Sequence, residues 1–347
     1  MMTTSQTQQT TMQAIVQEVY GGPEVLHFAT VPKPQPGPRD LLVRVRAVSV
    51  NPVDAKTRWR GGAPGTPVPN PPQILGWDGA GVVEAVGGEV SLFKGGDEVY
   101  FAGDITRPGS YAEFVAVDER IVGRKPQNLS FEEAVAIPLT ALTAWEALLE
   151  TMRAEGGAGE SPCTALIIGG GGGVGSIAIQ IARQVCGLYV VATASRPESE
   201  AYCRQMGADG VINHRQELAP QLKDLGVRGA DYILTCAGLD NFAQLVAALN
   251  PLGEICSILG SQAATALDVS GLFQIRGRLS FELMFTRPRL GVEPEKQGQI
   301  LNRVADLLDQ GILVTTMTRM MPWDEVQQAH QAIETGHTVG KMVLSVD

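Results

Sequence analysis

"ALIIGGGGGVGSIAIQIA", residues 165–182, decides the fold. Five consecutive glycines, Gly169 to Gly173, are followed by a sixth, Gly175. Each glycine costs backbone entropy on folding, so such a run needs a physical reason. "ALII" reads as a short buried strand. "VGSIAIQIARQV" puts Ile177, Ile181 and Val185 on one helical stripe. A strand, a glycine turn and a helix start are the setting in which G-x-G-x-x-G (Gly170, Gly172, Gly175) has a mechanism. The first glycine makes the tight turn. The second lets the backbone approach a pyrophosphate, and the third lets helix and strand pack closely. Free N–H groups and the positive dipole end of the helix favour the phosphates. Gly170, Gly172, Gly173, Val174 and Gly175 are therefore the expected contacts of a dinucleotide.

Downstream, strands "YVVATA", "VINH", "DYILTC" and "EICSIL" alternate with helices "ESEAYCRQM", "ELAPQLKDL" and "NFAQLVAAL". "LSFELM" reads as one more strand. This alternation predicts right-handed βαβ units and a parallel, doubly wound sheet. Upstream, residues 13 to about 125 carry short strand-like runs such as "LLVRVRAVSV" and "AGVVEAVG", separated by Gly and Pro turns. "SFEEAVAIPLTALTAWEALLETM" reads as a helical stretch, with Ser130 as N-cap and Glu133 completing a capping box. A helix, "EKQGQILNRVADLLDQ", leads to a terminal segment ending in the strand "GKMVLSV".

The second strand names the nucleotide. An NAD site usually carries an acid about 20 residues beyond the glycines, for the ribose 2′-hydroxyl. Here the chain reads Ala192-Thr193-Ala194-Ser195-Arg196. A hydroxyl at Ser195 and a guanidinium at Arg196 suit a 2′-phosphate, so the expected cofactor is NADP(H).

Length and composition bound the rest. The 347 residues suggest two domains, and 44% hydrophobic content allows sizeable cores. A net charge of −10 without a Lys/Arg cluster argues against nucleic acid or an anionic membrane as partner. Five scattered cysteines, with none before Cys163 and no CxxC pair, suggest a reducing compartment and no zinc ribbon. The polar start "MMTTSQTQQTTMQ" has no apolar segment of a secretory signal and is expected to be a disordered tail over 1–12. The uncharged run from Ser161 to Ala182 has the length of a membrane span, but its glycine block argues against one continuous helix. The cytoplasm is the default location.

The chain resembles the medium-chain dehydrogenase/reductase superfamily, nearest its quinone-oxidoreductase and zinc-type alcohol dehydrogenase-like branches. The motifs are "VSVNPVDAKTR" (48–58), "ILGWDGAGVVEAVG" (74–87), "PLTALTAWEAL" (138–148), "GGGGVG" (170–175), "GADGVINHR" (207–215) and "GKMVL" (340–344). The resemblance implies a GroES-like β-rich catalytic domain over 13–138 and 289–347, and a Rossmann domain over 139–288. It implies further cofactor contacts at Thr143, His214, Cys236, Gly238, Leu259, Gly260, Gly340 and Lys341. Ser199 replaces a family Lys that could contact a phosphate. His27, His330 and His337 show no spacing that suggests a site.

In zinc-bearing members a Cys, a His and a second Cys match Asn51, Trp77 and Leu139 here. Trp and Leu cannot ligate zinc and Asn is a poor ligand, so no metal is expected. Without a Lewis acid, charge at a plain carbonyl oxygen is not stabilised. Quinones and α,β-unsaturated carbonyls need less help, because conjugation spreads the charge. The expected activity is zinc-independent, NADPH-dependent reduction of such acceptors. The alternatives are an alcohol dehydrogenase or carbonyl reductase of the same family, and a non-catalytic NADPH sensor. Asn51 is expected to orient substrate or nicotinamide. Lys56 stands where relatives carry Tyr or a proton-relay His. Asp54 either acts in catalysis or pairs with a neighbouring base. The family habit of pairing the last Rossmann strands implies a homodimer through "LSFELMF" (279–285), a strand that would otherwise leave an exposed apolar edge.

Overall fold

The computed structural model describes residues 10–59, 63–70, 72–156, 162–260 and 266–346. Residues 1–9 of the expected tail lie outside that set. Thr11 and Met12 pair with Pro32 and Val31, so the first strand starts inside the segment expected to be disordered.

The β-rich half comprises β1 (Thr11–Gln17), β2 (His27–Pro32), β3 (Asp40–Val50), helix α1 (Pro52–Trp59), β4 (Gln73–Ile74), β5 (Gly79–Val86), β6 (Glu98–Phe101), β7 (Phe114–Asp118) and β8 (Val122–Arg124). The expected single helical stretch is divided. α2 (Phe131–Val135) ends before Pro138, and α3 (Pro138–Trp145) begins on it. Proline has no N–H to donate to the preceding turn, but it is well suited to the first position of a helix, so one helix stops and the next starts there. The capping box is present: Ser130 Oγ accepts the Glu133 N–H and the Glu133 carboxylate accepts the Ser130 N–H.

The nucleotide half alternates as expected: β9 (Thr164–Ile168), α4 (Gly173–Gln184), β10 (Tyr189–Thr193), α5 (Pro197–Gln205), β11 (Gly210–Ile212), α6 (Leu218–Asp224), β12 (Ala230–Thr235), α7 (Phe242–Ala248), β13 (Leu249–Ser257), α8 (Ser270–Ile275) and β14 (Arg278–Phe281). All six strands are parallel, in the order β11-β10-β9-β12-β13-β14. The first strand of the series lies between the second and the fourth, which is the Rossmann order. Its strand order reverses beside β9, and ligands of such sheets bind at the carboxyl ends there. β9 is buried along its whole length, and α4, which packs on α3, β9 and β10, buries Ile177 and Ile181, each contributing about 1.5–3 kcal/mol.

The chain then returns to its beginning. After α9 (Thr286–Leu290) and α10 (Glu295–Asp309) come β15 (Met317–Pro322), α11 (Val326–Glu334) and β16 (Lys341–Ser345). β15 and α11 are not separated in the sequence reading. β16 runs antiparallel to β3 in the seven-stranded sheet, with Met342 opposite Val50 and Val343 opposite Ser49. Extending that register by one residue sets Lys341 against Asn51. No helix among the described residues is long and apolar enough to cross a membrane.

Candidate active site

Six glycines lead from β9 into α4, and they do different work. Gly169 has φ +79°, which favours glycine. A Cβ on Gly170 would stand 2.7 Å from Ala192 Cβ, and one on Gly175 would stand 2.2 Å from the Gly169 carbonyl oxygen. These two let strand, turn and helix close on one another. Gly172 is the N-cap of α4, and a Cβ there would meet only the Gly169 oxygen, at 3.4 Å. Its open side is a cradle at a helix N-terminus, where first-turn N–H groups have no intrahelical acceptor. The second glycine of the motif is thus the one facing free space. The loop fits a pyrophosphate.

The other expected cofactor residues gather on the same carboxyl edge. The Thr193 hydroxyl at the end of β10 accepts the Gly169 N–H at 2.9 Å. Ser195 and Arg196 follow it. The Arg196 guanidinium donates to the His337 carbonyl at 2.7 Å and pairs with Glu198 at 3.0 Å. Cys236 follows β12 beside Gly169, and burial pushes its thiol up to about 12. It is an inert wall. Gly238, Leu259 and Gly260 follow β12 and β13. His214 follows β11; burial and the neighbouring Arg215 hold its imidazole below the usual value. On α3, buried Thr143 donates its hydroxyl to the Leu139 carbonyl at 2.8 Å. The Gly340 N–H donates to the Gly171 carbonyl at 2.9 Å, so the C-terminal segment is tied to the glycine loop.

Opposite the loop lies a buried polar centre. Asp78 Oδ2 accepts from Ser49 Oγ at 2.6 Å and from Asn51 Nδ2 at 2.7 Å, while Oδ1 accepts the Leu139 N–H at 2.7 Å. The Lys341 ammonium donates to Asn51 Oδ1 at 2.5 Å and to Asp78 Oδ2 and the Val50 carbonyl at 3.3 Å. Asp78, Asn51 and Lys341 are all buried. A charge so deep needs a partner, and here anion, amide and cation satisfy one another.

A second chain of hydrogen bonds starts three residues on. Asp54 Oδ2 accepts the Asn51 N–H at 2.8 Å and the Tyr111 hydroxyl at 3.0 Å. The Arg58 guanidinium donates to His330 Nδ1 at 2.7 Å and also pairs with Glu334. Because Arg only donates, His330 Nδ1 must accept, and its Nε2 carries the hydrogen toward the Tyr111 oxygen at 3.2 Å. Burial and Arg58 push His330 down to about 3, so it stays neutral. Burial raises Asp54 to about 7, against the lowering effects of the Asn51 N–H, Lys341 and Tyr111. Asp54 Oδ1 is buried without a hydrogen-bond partner among the described residues.

Comparison with known proteins agrees with this architecture. Residues 37–127 match the family model for the alcohol dehydrogenase GroES-like domain, and residues 206–344 match that for zinc-binding dehydrogenases. A zinc-type alcohol dehydrogenase-like protein of Staphylococcus aureus is 37% identical over 321 residues, 90% of this chain and 93% of that protein. A quinone oxidoreductase of Pseudomonas aeruginosa is 32% identical over 332 residues, 94% of this chain and 97% of the other. The crystal structure of Escherichia coli quinone oxidoreductase complexed with NADPH superposes with a TM-score of 0.83 at 25% identity, over 96% of this chain and 100% of that one.

This chain belongs to the medium-chain dehydrogenase/reductase superfamily. It is an oxidoreductase with a GroES-like domain and a Rossmann sheet.

The zinc in the matched family's name can be tested on the residues. The Trp77 indole N–H donates to the Asp104 carbonyl at 3.2 Å. Leu139 has an apolar side chain. Asn51 Oδ1 already carries the Lys341 ammonium. Zinc takes Cys, His or carboxylate donors, usually four in all or three with a water. These residues do not fit it. No group of three or more His, Cys, Asp or Glu among the described residues could hold a metal.

Among the expected catalytic residues, Asn51 and Asp54 meet in the buried centre. Lys56 is exposed on α1, two residues from buried Asp54 and two from buried Arg58. At helical spacing that is the opposite face. Ser49, Arg58, Tyr111 and His330 are members of the centre that the sequence reading missed. No spacing in the sequence marks His330 as part of a site. It reaches the centre from α11, 272 residues from Arg58, and only the fold brings them together.

Proposed function

We propose that this protein is a zinc-independent, NADPH-dependent reductase of quinones or α,β-unsaturated carbonyls. The observation that carries the reading is the Lys341 ammonium on Asn51 Oδ1, with Trp77 and Leu139 at the two other positions that bear metal ligands in zinc members. A cation already sits on the single side-chain oxygen of that set. A plain ketone reduced without a Lewis acid leaves charge on one oxygen, whereas a conjugated acceptor spreads it. The names of the Pseudomonas and Escherichia relatives support this acceptor class.

The nicotinamide cofactor supplies the hydride. The chain's own residues bind and orient. Gly170, Gly172, Gly173, Val174 and Gly175 would hold the pyrophosphate, and Thr143, Gly340 and Lys341 would flank the nicotinamide end. Cys236, Gly238, Leu259 and Gly260 would line the strand ends. Ser195, Arg196 and His214 would line the adenosine end. The lack of an acid directly after β10, and the NADPH bound by the Escherichia relative, favour NADPH. Asn51 keeps one amide N–H beyond the bond to Asp78, which can orient the acceptor oxygen or the nicotinamide amide.

The test is NADPH oxidation against a panel of quinones, enones, aldehydes and ketones. Turnover confined to aldehydes and ketones would favour the carbonyl-reductase reading. Tight NADPH binding with no turnover would favour a sensor. We propose further a homodimer through β14, which is the edge of the parallel sheet and is followed by exposed Leu283. A monomeric mass in sedimentation at micromolar concentration would rule it out.

A further inference from the structure

We propose that Lys341 is a positioning residue that fixes the Asn51 amide, and that Gly173 is glycine so that the lysine stem can reach it. The proposal rests on the reading of Asn51 as an orienting group, and it changes the expected role of Lys341 as a direct cofactor contact.

The ammonium has three N–H donors and three acceptors: Asn51 Oδ1, Asp78 Oδ2 and the Val50 carbonyl. None is left over for a phosphate. A cation on Oδ1 and a carboxylate on Nδ2 leave Asn51 one permitted orientation, because the flipped amide would set N–H against ammonium and oxygen against carboxylate. The lysine holds Asn51 from the end opposite its remaining N–H and draws electron density toward Oδ1, making that N–H a better donor.

The stem explains the fifth glycine of the run. A Cβ on Gly173 would stand 2.8 Å from Lys341 Cδ and 3.2 Å from Thr140 Cγ2. Gly173 opens α4, where any residue's backbone is at ease, so the demand is steric alone. Lys341 cannot step aside. Its N–H donates to the Thr316 carbonyl at 2.8 Å, and its ammonium is held at the other end. A side chain at Gly173 therefore pulls the lysine off Asn51. In this reading one glycine of the nucleotide loop serves the catalytic half.

The experiment compares Lys341→Met, Lys341→Gln, Gly173→Ala and the double variant Lys341→Met/Gly173→Ala with the unmutated protein. Three quantities are measured: NADPH Kd by fluorescence, kcat and KM with the best acceptor, and the carboxyl titration of Asp54 in cofactor-free protein by carbon NMR. Asp54 faces Lys341, Asp78, Tyr111 and, through Tyr111, His330 and Arg58. Loss of the nearby positive charge should move its titration upward. For Lys341→Met the expected result is NADPH Kd within about threefold, kcat down by up to the order of 10²-fold that misplaced groups cost, and KM little changed; Gly173→Ala is read by kcat and the Asp54 titration, because Gly173 also belongs to the pyrophosphate loop. Gly173→Ala should move Asp54 in the same direction, and the double variant should be no worse than the worse single. Lys341→Gln keeps a donor for Asn51 and should recover part of kcat; it and Gly173→Ala carry the comparison if Lys341→Met does not fold. A rise of about tenfold or more in NADPH Kd with kcat retained in the Lys341 variants would make Lys341 a phosphate contact and overturn the proposal. Additive losses, or an Asp54 titration that does not move, would overturn it too. If no acceptor turns over, the functional reading fails, while Kd and the titration still report on Lys341.

Discussion

Lys341 Nζ stands 2.5 Å from Asn51 Oδ1, across 290 residues of sequence. The contact follows from β16 returning antiparallel to β3: Met342 pairs with Val50 at the end of the third strand, and the next step of that register sets Lys341 against Asn51, the residue just beyond it. The two halves of the site meet there. The Lys341 stem lies over the glycine loop, and its charge lies in the buried polar centre.

At the other end of the cleft, Arg196 should read the nucleotide's 2′-phosphate. Its guanidinium leans on the His337 carbonyl and on Glu198, an exposed residue that can swing away at little cost. Arg196→Asp should weaken NADPH binding and spare or improve NADH. A charge-assisted contact contributes about 1.5–3 kcal/mol, or roughly 10- to 150-fold in Kd. Equal Kd values for NADH and NADPH in the unmutated protein would remove the basis for this assignment.

Metal analysis addresses the zinc question directly. With an ammonium on Asn51, an indole at Trp77 and an aliphatic chain at Leu139, purified protein should carry zinc well below stoichiometry. Turnover should survive a chelator. Stoichiometric zinc that leaves together with activity is the outcome that sinks zinc independence.

Asp54 predicts a pH dependence of stability. Burial is the largest influence and raises it to about 7. A carboxyl raised on folding contributes stability that is full below its unfolded value of about 3.9 and is lost as pH rises through the folded value. The window therefore runs from about pH 4 to about pH 7, at up to about 1.4 kcal/mol per pH unit. Asp54→Asn keeps an oxygen for the Asn51 N–H and the Tyr111 hydroxyl but cannot titrate. The Tm advantage of the unmutated protein over this variant should shrink from pH 5 to pH 8. A difference that stays constant over that range contradicts the assignment.

The nucleotide half was legible because its signals are local. The glycine run, the helical stripe of α4 and the βαβ alternation each lie within a few dozen residues. The buried polar centre was legible only in part. Asn51 and Asp54 share one motif, and the position of Asn51 could be matched. Tyr111, His330 and the anchoring role of Lys341 depend on strand register and on α11, and no spacing in the chain encodes them. Pro138 was in plain view, yet the apolar run around it read as one helix.

Lys56 provides the last prediction. The family position matches a proton relay in one branch and a Tyr in another, which made it a candidate donor to the reduced substrate. The fold sets it on the exposed face of α1, while Asp54 and Arg58 of the same helix are buried and Lys341 is the lysine that touches Asn51. A general acid contributes roughly 10²–10⁴-fold to rate, and its loss lowers kcat. An exposed lysine can act only through its long-range charge on encounter with substrate or cofactor, which appears in KM and weakens with salt. Quinone and enone products can take their proton from water. Lys56→Met keeps side-chain length and removes the charge. It should leave kcat within a few-fold and the pH profile in place, with any change confined to KM. A fall in kcat of about 10²-fold or more, together with loss of a limb in the pH–rate profile, would make Lys56 the proton donor.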